Sequence, residues 1–380
     1  MIRQYSPRAL SLVLLISAVL ISPVLASDPV DVGPESWAPS NSSPPPTVRI
    51  CGLMVYDSDS DVVLLYGGFD GNAGSPDLWA FDANTNTWTN MTPADSPPGR
   101  FGQGWVYDET RDICLMFFGV SGTTYYNDTW EYDYDTNTWT QLFPGTSPAP
   151  RCKGGSAYDI DSDQFIFFGG FGNDTVNMAE TWTYNYDENT WVNRTAGTAP
   201  SPRMRCPMIY DEKADRCIMF GGWLGGTDVL GDTWAYDFNT NTWENMNPTP
   251  APAPRARYGR AYLPDMGKVI LTHGWGGANG DYNDTWTYDH ATNTWEEMDT
   301  GSGRMQPRHC FQMALDEESG VIVAQGGSGA SSFHDTWLLN PYEKEEDGNG
   351  FPAGIVIIIG IIALVILIVA IVIYRSVKEE

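Results

Sequence analysis

The chain is short of positive charge. Its 380 residues include 21 Lys and Arg against 48 Asp and Glu, which gives a formal net charge of −27. Nucleic acid is excluded as an expected partner, because its phosphates are bound by basic side chains. The acidic surface also disfavours adsorption to anionic lipid, whereas it is compatible with high solubility, with cationic partners or with a saline habitat.

Cysteine and long helical patterns are scarce as well. The six cysteines are not spaced like a disulfide-knot scaffold, and a domain of roughly 320 residues buries enough core to do without one. Trp, Tyr, Thr, Gly and Pro are frequent, which favours strands over helices. The composition therefore indicates an all-β protein.

The N-terminus has the pattern of a secretory signal. Two basic residues, Arg3 and Arg8, precede an almost wholly apolar run from Ala9 to Ile21, and small residues at Val24-Leu25-Ala26 suit a signal peptidase. The apolar run is short for an uncleaved anchor helix, which is the alternative. We therefore predict a signal peptide at residues 1–26.

The C-terminus has the pattern of a membrane span. The charge-free run from Ala353 to Tyr374 would extend about 33 Å as a helix, enough for the hydrocarbon core of a bilayer. Acidic residues precede the run and basic residues follow it, so the positive-inside rule places the tail in the cytoplasm. We predict an acidic stalk at 343–350, a transmembrane helix at 351–374 and a cytoplasmic tail at 375–380. The domain at 27–342 would then lie outside the cell, on a single-pass anchor.

Four features recur along the domain at intervals of about 50 residues. The first is a tryptophan after a turn-like run: Trp88, Trp139, Trp191, Trp243 and Trp295. The second is a tryptophan within or near an Asp-Thr-Trp motif: Trp79, Trp130, Trp182, Trp234, Trp286 and Trp337. The third is an arginine: Arg49, Arg100, Arg151, Arg203, Arg255 and Arg308. The fourth is a glycine doublet that ends an apolar run, complete in four of the six units.

Each unit is predicted to form four short strands. In the second unit these are Phe101 to Tyr107, Ile113 to Gly119, Thr129 to Asp133 and Trp139 to Phe143. The intervening Asp, Asn, Thr and Gly residues are typical of turns, because their side chains cap local backbone groups. Four strands in each period of about 50 residues indicate the blades of a propeller.

The repeat resembles that of the kelch family. The likeness rests on the Arg before the first strand, the Gly doublet after the second, the aromatic third strand and the Thr-Asn-Thr-Trp that opens the fourth. It extends from Trp37 to about Pro341. The resemblance implies a six-bladed kelch-type β-propeller at 27–342, in which the repeated tryptophans pack between blades.

The sixth unit lacks its fourth strand, because no tryptophan occurs near position 347. Trp37 precedes Arg49 by the same 12 residues that separate Trp88 from Arg100. We therefore expect the N-terminal segment, near Glu35 to Pro39, to supply the outer strand of blade six. This pairing would remove an open strand edge.

Candidate ligand-binding residues lie where the resemblance implies that kelch proteins hold ligands, on the loop face around the central channel. The loops between the second and third strands vary most and carry unpaired aromatics, including Tyr125, Phe171, Trp223 and Trp275. The six repeated arginines begin the innermost strands near this mouth, where guanidinium groups could bind a carboxylate or an acidic loop. The alternative is that each arginine pairs with an Asp or Glu of the neighbouring blade. Arg205, Arg257 and Arg260 would add to the basic character of the mouth.

No disulfide bond and no metal site is assigned from the sequence. Cys51 and Cys310 occupy equivalent positions, but inner strands of adjacent blades can lie farther apart than the roughly 7 Å that a bridge allows between Cα atoms. Cys114 and Cys217 fall within strands and are expected to be buried thiols. The acidic run Asp57-Ser-Asp-Ser-Asp61 lacks the Gly and Glu of an EF-hand loop, so we interpret it as a hairpin turn.

Asn-x-Ser/Thr sequons provide possible glycosylation sites in an exported protein. They occur at Asn41, Asn90, Asn127, Asn173, Asn193 and Asn283. Two of them belong to the repeated Asn-Asp-Thr-Trp unit and can be by-products of the repeat.

Two classes of function remain after this reasoning. The favoured one is a cell-surface binding or scaffold module, without cofactor or metal, whose partner is an envelope or extracellular protein or a glycan. The alternative is a carbohydrate-processing enzyme resembling galactose oxidase or the sialic-acid epimerases. The four histidines, His273, His290, His309 and His334, do not reproduce the ligand pattern of the oxidase, and no nucleophile motif is present.

Overall fold

A computed structural model of the protein describes residues 32–195, 197–301 and 304–342. The predicted signal peptide, stalk, transmembrane helix and tail lie outside these ranges and stay predictions. Within these ranges, no helix has the length and apolar character needed to cross a membrane. The described residues form β-strands and one short 3₁₀ turn, Gly277–Asn279.

The strands assemble into six antiparallel four-stranded sheets, one for each repeat. The first strand of the chain is β1 (Ser36–Pro39). Blade 1 contains β2 (Leu53–Asp57), β3 (Val62–Tyr66), β4 (Leu78–Asp82) and β5 (Thr87–Asn90). Blade 2 contains β6 (Gly104–Asp108), β7 (Ile113–Phe117), the short pair β8 (Val120–Ser121) and β9 (Thr124–Tyr125), β10 (Thr129–Asp133) and β11 (Thr138–Leu142).

The remaining blades follow the same plan. Blade 3 contains β12 (Arg151–Cys152), β13 (Gly155–Asp159), β14 (Gln164–Phe168), β15 (Phe171–Gly172), β16 (Thr181–Asn185) and β17 (Thr190–Asn193). Blade 4 contains β18 (Met208–Asp211), β19 (Arg216–Gly225), β20 (Asp228–Asp237) and β21 (Thr242–Asn245). Blade 5 contains β22 (Gly259–Leu263), β23 (Lys268–Trp275), β24 (Asp281–Asp289) and β25 (Thr294–Met298). Blade 6 contains β26 (Arg308–His309), β27 (Gln312–Asp316), β28 (Val321–Gln325), β29 (Ser328–Gly329) and β30 (Thr336–Asn340).

The N-terminal segment closes the ring, as the sequence predicted. Strand β1 pairs with β30 in an antiparallel register that places Trp37 opposite Leu339. Trp37 is 3% exposed and packs in the core between blades 5 and 6, where its ring lies 5.8 Å from that of His273. Trp37 therefore occupies the place of the tryptophan that the sixth repeat lacks.

The repeated tryptophans join neighbouring blades, which confirms their predicted packing role. In four blades the indole N–H donates to a threonine hydroxyl of the preceding blade: Trp88 to Thr336, Trp191 to Thr129, Trp243 to Thr181 and Trp295 to Thr233, at 2.9–3.2 Å. Blade 1 has Leu78 where the other blades have this threonine. The indole nitrogen of Trp139 in blade 2 is accordingly buried without a hydrogen-bond partner in the part of the chain that the structure describes. The bond from Trp88 joins blade 1 to blade 6 and so spans the closure.

The first main strand of each blade lines a central channel. Strands β2, β6, β13, β18, β22 and β27 each contact the next, and β27 contacts β2. Backbone bridges join the connectors between blades to the loops that follow the second strands, as between Ile50 and Phe69 and between Ala256 and Trp275. The two loop sets therefore share one face, as predicted. We call the channel opening on this face the mouth.

Candidate binding site at the channel mouth

The six repeated arginines are fixed inside their own blades. Each is at most 1% exposed and pairs with a carboxylate 27–29 residues later in the same repeat. These carboxylates are Asp77, Asp128, Glu180, Asp232, Asp284 and Asp335. The alternative of pairing with the neighbouring blade is thus wrong, because the partner comes from the loop before the third strand of the same blade. A ligand would have to displace these carboxylates to reach the arginines.

The arginine site of blade 4 shows how completely the group is engaged. Arg203 donates to both carboxylate oxygens of Asp232, at 2.7 and 2.8 Å, and to the carbonyl of Gly221 at 2.9 Å. The indole of Trp234 also donates to Asp232. Although burial acts in the opposite direction, the hydrogen bonds and charge of Arg203 hold the pKa of Asp232 below its usual value. All three residues of this Asp-Thr-Trp motif therefore make stabilising contacts. Asp232 pairs with Arg203, Trp234 donates to Asp232, and Thr233 accepts the indole hydrogen bond of Trp295 from blade 5.

Six other residues, each two positions after a repeated arginine, surround the mouth. We call them the mouth ring: Cys51, Gly102, Lys153, Arg205, Arg257 and Cys310. All six adopt left-handed backbone conformations, with φ between 53° and 63°. The N–H of each donates to the carbonyl of its counterpart in the preceding blade, and the six bonds form a closed circle. The circle orients the five side chains of the ring around the channel axis.

Three cations of the mouth ring have no acidic partner. Within the described ranges, Lys153, Arg205 and Arg257 form no salt bridge with any carboxylate. Burial lowers the pKa of both Lys153 and Arg257. The Nε atoms of Arg205 and Arg257 are buried, and no described residue accepts a hydrogen bond from either. Deeper in the channel, Arg260 donates to the carbonyl of Met208 at 3.1 Å.

Loop aromatics pack against these cations. Lys153 Nζ lies 5.8 Å from the ring centre of Phe171. The guanidinium carbon of Arg257 lies 4.5 Å from the Trp223 ring centre and 4.9 Å from that of Trp275. These three aromatics were predicted as candidate ligand contacts, and the fourth, Tyr125, lies 6.4 Å from Phe171. Phe171, Trp223 and Trp275 thus lie beside the three cations in cation–π geometry, and Tyr125 lies next to Phe171.

Two thiols complete the mouth ring. One nitrogen of Arg205, Nη1, lies 2.9 Å from Sγ of Cys51 and 3.0 Å from Sγ of Cys310. A hydrogen bond with Cys310, together with the charges of Arg205 and Arg257, holds the pKa of Cys51 well below its usual value. All six cysteines are free thiols. Cys114 and Cys217 are buried in strands as predicted, and burial raises the pKa of both.

The six ring residues line a cavity of about 80 Å³ that opens to solvent at the mouth. Guanidinium and ammonium groups without a carboxylate partner among the described residues favour an anionic ligand, and carboxylates match the geometry of the guanidinium fork.

The opposite end of the channel has the reverse charge. Glu109, Glu212 and Glu317 follow the inner strands of alternate blades and line a cavity of about 200 Å³. Partial desolvation within the channel, together with the charges of Glu317 and Glu109, raises the pKa of Glu212 to about 7, although the side chain stays in contact with water. The channel is therefore basic at the mouth and acidic at the other end.

The described residues bring no three His, Cys, Asp or Glu side chains together as metal ligands would be. His273 is buried beside Trp37, and burial lowers its pKa to about 3. The Asp57 run forms the predicted hairpin turn, in which the carboxylate of Asp57 accepts a hydrogen bond from the N–H of Ser60 at 3.0 Å.

The predicted sequons lie largely on the surface. Asn41, Asn90, Asn127, Asn173 and Asn193 are exposed, and Asn283 is half-buried. Their glycosylation stays a prediction.

Sequence reasoning missed Lys153 and the role of the two thiols. It noted Arg205, Arg257 and the equivalence of Cys51 with Cys310, but it did not place them in one ring. The available signal was position: each of these residues stands two places after a repeated arginine. Only Gly102 has the residue type that ordinarily marks a left-handed conformation.

Comparisons with known proteins agree with this architecture. The model of the "KLHDC2/KLHL20/DRC7 Kelch-repeats domain" matches residues 30–194 and 162–345. The chain is 29% identical over 201 residues to the dynein alpha chain of the flagellar outer arm from Chlamydomonas reinhardtii, which covers 48% of this chain and 4% of that protein. It is 29% identical over 209 residues to human host cell factor 1, covering 48% and 10%. It is 24% identical over 198 residues to Kelch domain-containing protein 10 of Xenopus tropicalis, covering 48% and 46%.

The chain spans less than half the length of each of these relatives, so the likeness concerns the propeller. The family model, by contrast, matches nearly the whole propeller in two overlapping segments. Six four-stranded blades, the shared arginine and tryptophan positions and this match lead to one conclusion: the chain belongs to the kelch-repeat family of β-propellers.

Proposed function

We propose that this protein is a non-enzymatic binding module of the cell surface that holds an envelope or extracellular protein by an acidic segment in the channel mouth. The observation that supports the proposal is the presence of three cations without carboxylate partners, Lys153, Arg205 and Arg257, in a chain of net charge −27. Acidic side chains are abundant, yet none in the described ranges pairs with these cations. An incoming carboxylate would supply the missing partner.

The aromatic side chains around the cations support the same proposal. Phe171, Trp223 and Trp275 pack against the mouth cations, and apolar rings beside a bound carboxylate would strengthen its interaction with the guanidinium groups. A hydrogen bond to a charged group contributes about 1.5–3 kcal/mol. Loss of one mouth cation should thus weaken binding by about tenfold or more.

The test uses the purified full-length chain and a fluorescein-labelled peptide of repeating Glu-Gly, followed by fluorescence anisotropy. The matched peptide has Gln in place of Glu. Binding is expected for the acidic peptide only, and it should weaken in Lys153→Gln and Arg257→Gln. Lys213→Gln removes the same charge at the other end of the channel and serves as the control. Equal binding of both peptides, or equal loss in all three variants, would refute the proposal.

Other outcomes would favour other functions. Binding of neutral oligosaccharides that survives Arg257→Gln but is lost in Trp275→Ala would favour a glycan partner. Stoichiometric copper with peroxide production would favour the carbohydrate-processing enzyme.

The surface location rests on the sequence patterns at the two ends of the chain. The signal pattern at 1–26 and the apolar run at 351–374, followed by basic residues, support an extracytoplasmic propeller. Protease treatment of intact cells should remove the propeller and leave a C-terminal epitope tag protected. Degradation of the tag with the propeller untouched would reverse the topology.

A further inference from the structure

We propose that Cys51 and Cys310 are a redox-active pair that forms a disulfide across the junction of the first and last blades. The two residues are neighbours in the mouth ring, although 259 positions separate them in the sequence. Neither side chain takes part in the arginine–carboxylate or tryptophan–threonine contacts that recur from blade to blade. The pair is thus a modification site distinct from the arginine and tryptophan positions that build the fold.

The backbone geometry permits the bridge. The N–H of Cys51 donates to the carbonyl of Cys310 at 2.8 Å. With standard bond lengths, this contact keeps the two Cα atoms within about 7 Å, the limit for a disulfide. Both sulfur atoms also lie within 3.0 Å of the same Arg205 nitrogen. The Cα separation between inner strands, which argued against this pair when only the sequence was considered, therefore does not prevent the bridge.

The surroundings also activate one sulfur of the pair. Cys51 lines the mouth cavity and is half-buried, whereas Cys310 is 5% exposed. Arg205 donates to both sulfurs and stabilises a thiolate, which is the form of cysteine that attacks a disulfide. The other cysteines lack this arrangement: Cys152 and Cys206 are fully buried, and burial raises the pKa of each to about 11.

The reaction requires an oxidant, and a low-molecular-weight disulfide, RSSR, can supply it. The Cys51 thiolate attacks one sulfur of RSSR, which forms a mixed disulfide and releases RS⁻. Cys310 then loses its proton to solvent, and its sulfur attacks Sγ of Cys51, which releases the second RS⁻. Two protein thiols are oxidised as one disulfide is reduced, so atoms and electrons balance.

Oxidation also changes the charge of the mouth. A thiolate beside Arg205 offsets one positive charge, whereas a disulfide is neutral. Oxidation therefore raises the net charge of the site formed by Lys153, Arg205, Arg257 and the two sulfurs by one unit. If the mouth binds acidic segments, which rests on the function proposed above, the oxidised protein should bind the Glu-Gly peptide about tenfold more tightly at low salt.

The primary test needs no ligand. The full-length wild-type chain is equilibrated with reduced and oxidised glutathione, trapped with N-ethylmaleimide in acid and analysed by peptide mass spectrometry. We expect one new linkage, Cys51 to Cys310, and the loss of two of the six thiols. Cys206→Ser should still form it, and Cys51→Ser should not. Retention of all six thiols, or a linkage through another cysteine, would overturn the inference.

The peptide assay then separates the two proposals. A disulfide without any peptide binding would refute the acidic-segment function and leave the thiol pair standing. Peptide binding that depends on Lys153, in a chain that never forms the linkage, would refute the thiol pair and leave the acidic-segment function standing. A linkage that leaves peptide affinity unchanged would overturn the charge coupling between them.

Discussion

Replacement of Trp37 by alanine tests how the ring closes. Trp37 lies in the four-residue strand β1, yet it is 3% exposed and packs in the core shared by blades 5 and 6. Its indole nitrogen has no hydrogen-bond partner among the described residues, so the loss expected from the alanine substitution is that of packing. Removal of a buried aromatic of this size typically costs about 3–5 kcal/mol.

That loss converts into a measurable shift in thermal stability. For a domain of this size, 1 kcal/mol lowers the midpoint of thermal unfolding by about 2–4 °C, so Trp37→Ala should lower it by roughly 6–20 °C. Differential scanning fluorimetry of the full-length chain measures the shift. Phe143→Ala is the matched control, because Phe143 is an aromatic that is 75% exposed. Its replacement should change stability by no more than about 0.5 kcal/mol.

The reasoning fails if the two variants behave alike. A decrease of less than about 2 °C in Trp37→Ala would mean that β1 contributes no packing to blade 6. Deletion of residues 28–45 provides a second test of ring closure, because it removes the whole of strand β1. A deletion mutant as stable as the wild-type chain would contradict the closure directly.

Two further changes test the blade support and the charges at the far end of the channel. Arg203→Met leaves the carboxylate of Asp232 half-buried without its cation, and should cost about 3–5 kcal/mol in urea unfolding. Glu212→Gln should reduce the pH dependence of stability. The folded state raises the pKa of Glu212 from 4.5 to about 7, so the wild-type chain loses stability as the pH rises through that window. Because the side chain is exposed to water in the channel, the difference should not exceed about 1 kcal/mol, measured as unfolding free energy between pH 5 and 8.

The fold could be predicted from the sequence because each blade repeats the same pattern. Period, strand order and turns were all present several times, and the displaced tryptophan at position 37 was found by counting intervals. The turns follow from their own chemistry: the carboxylate of Asp82 accepts a hydrogen bond from the N–H of Thr85, and Asn86 takes the left-handed conformation. These turn preferences depend only on residues close in sequence, so they apply wherever the turn motif recurs.

The binding site was harder to predict, because its residues are not linked by local rules. The spacing of Arg203 and Asp232 does not reveal whether the pair lies within one blade or between two. The contact of Cys51, Arg205 and Cys310 joins three blades, and it depends on the diameter of the channel. No pattern along the chain specifies that diameter.

The backbone of the mouth ring supports a functional interpretation of its side chains. All six positions have φ between 53° and 63°, a conformation that costs a residue with a Cβ atom roughly 1–2 kcal/mol relative to its favoured geometry and that glycine adopts freely. Gly102 shows that glycine is compatible with the ring, yet the other five positions carry cysteine, lysine or arginine. If those side chains served only the fold, glycine would be the better residue at each.

Lys153→Gly tests this argument in both directions. The variant should be more stable than the wild-type chain, by about 0.5–1 kcal/mol in urea unfolding, because the strained backbone is relieved. It should also bind the acidic peptide at least about tenfold more weakly, because a mouth cation is lost. Gly102→Ala is the reverse control and should destabilise the fold without removing a charge. A Lys153→Gly protein that is less stable than the wild-type chain would mean that Lys153 supports the ring itself, and the strained positions would then no longer argue for a ligand.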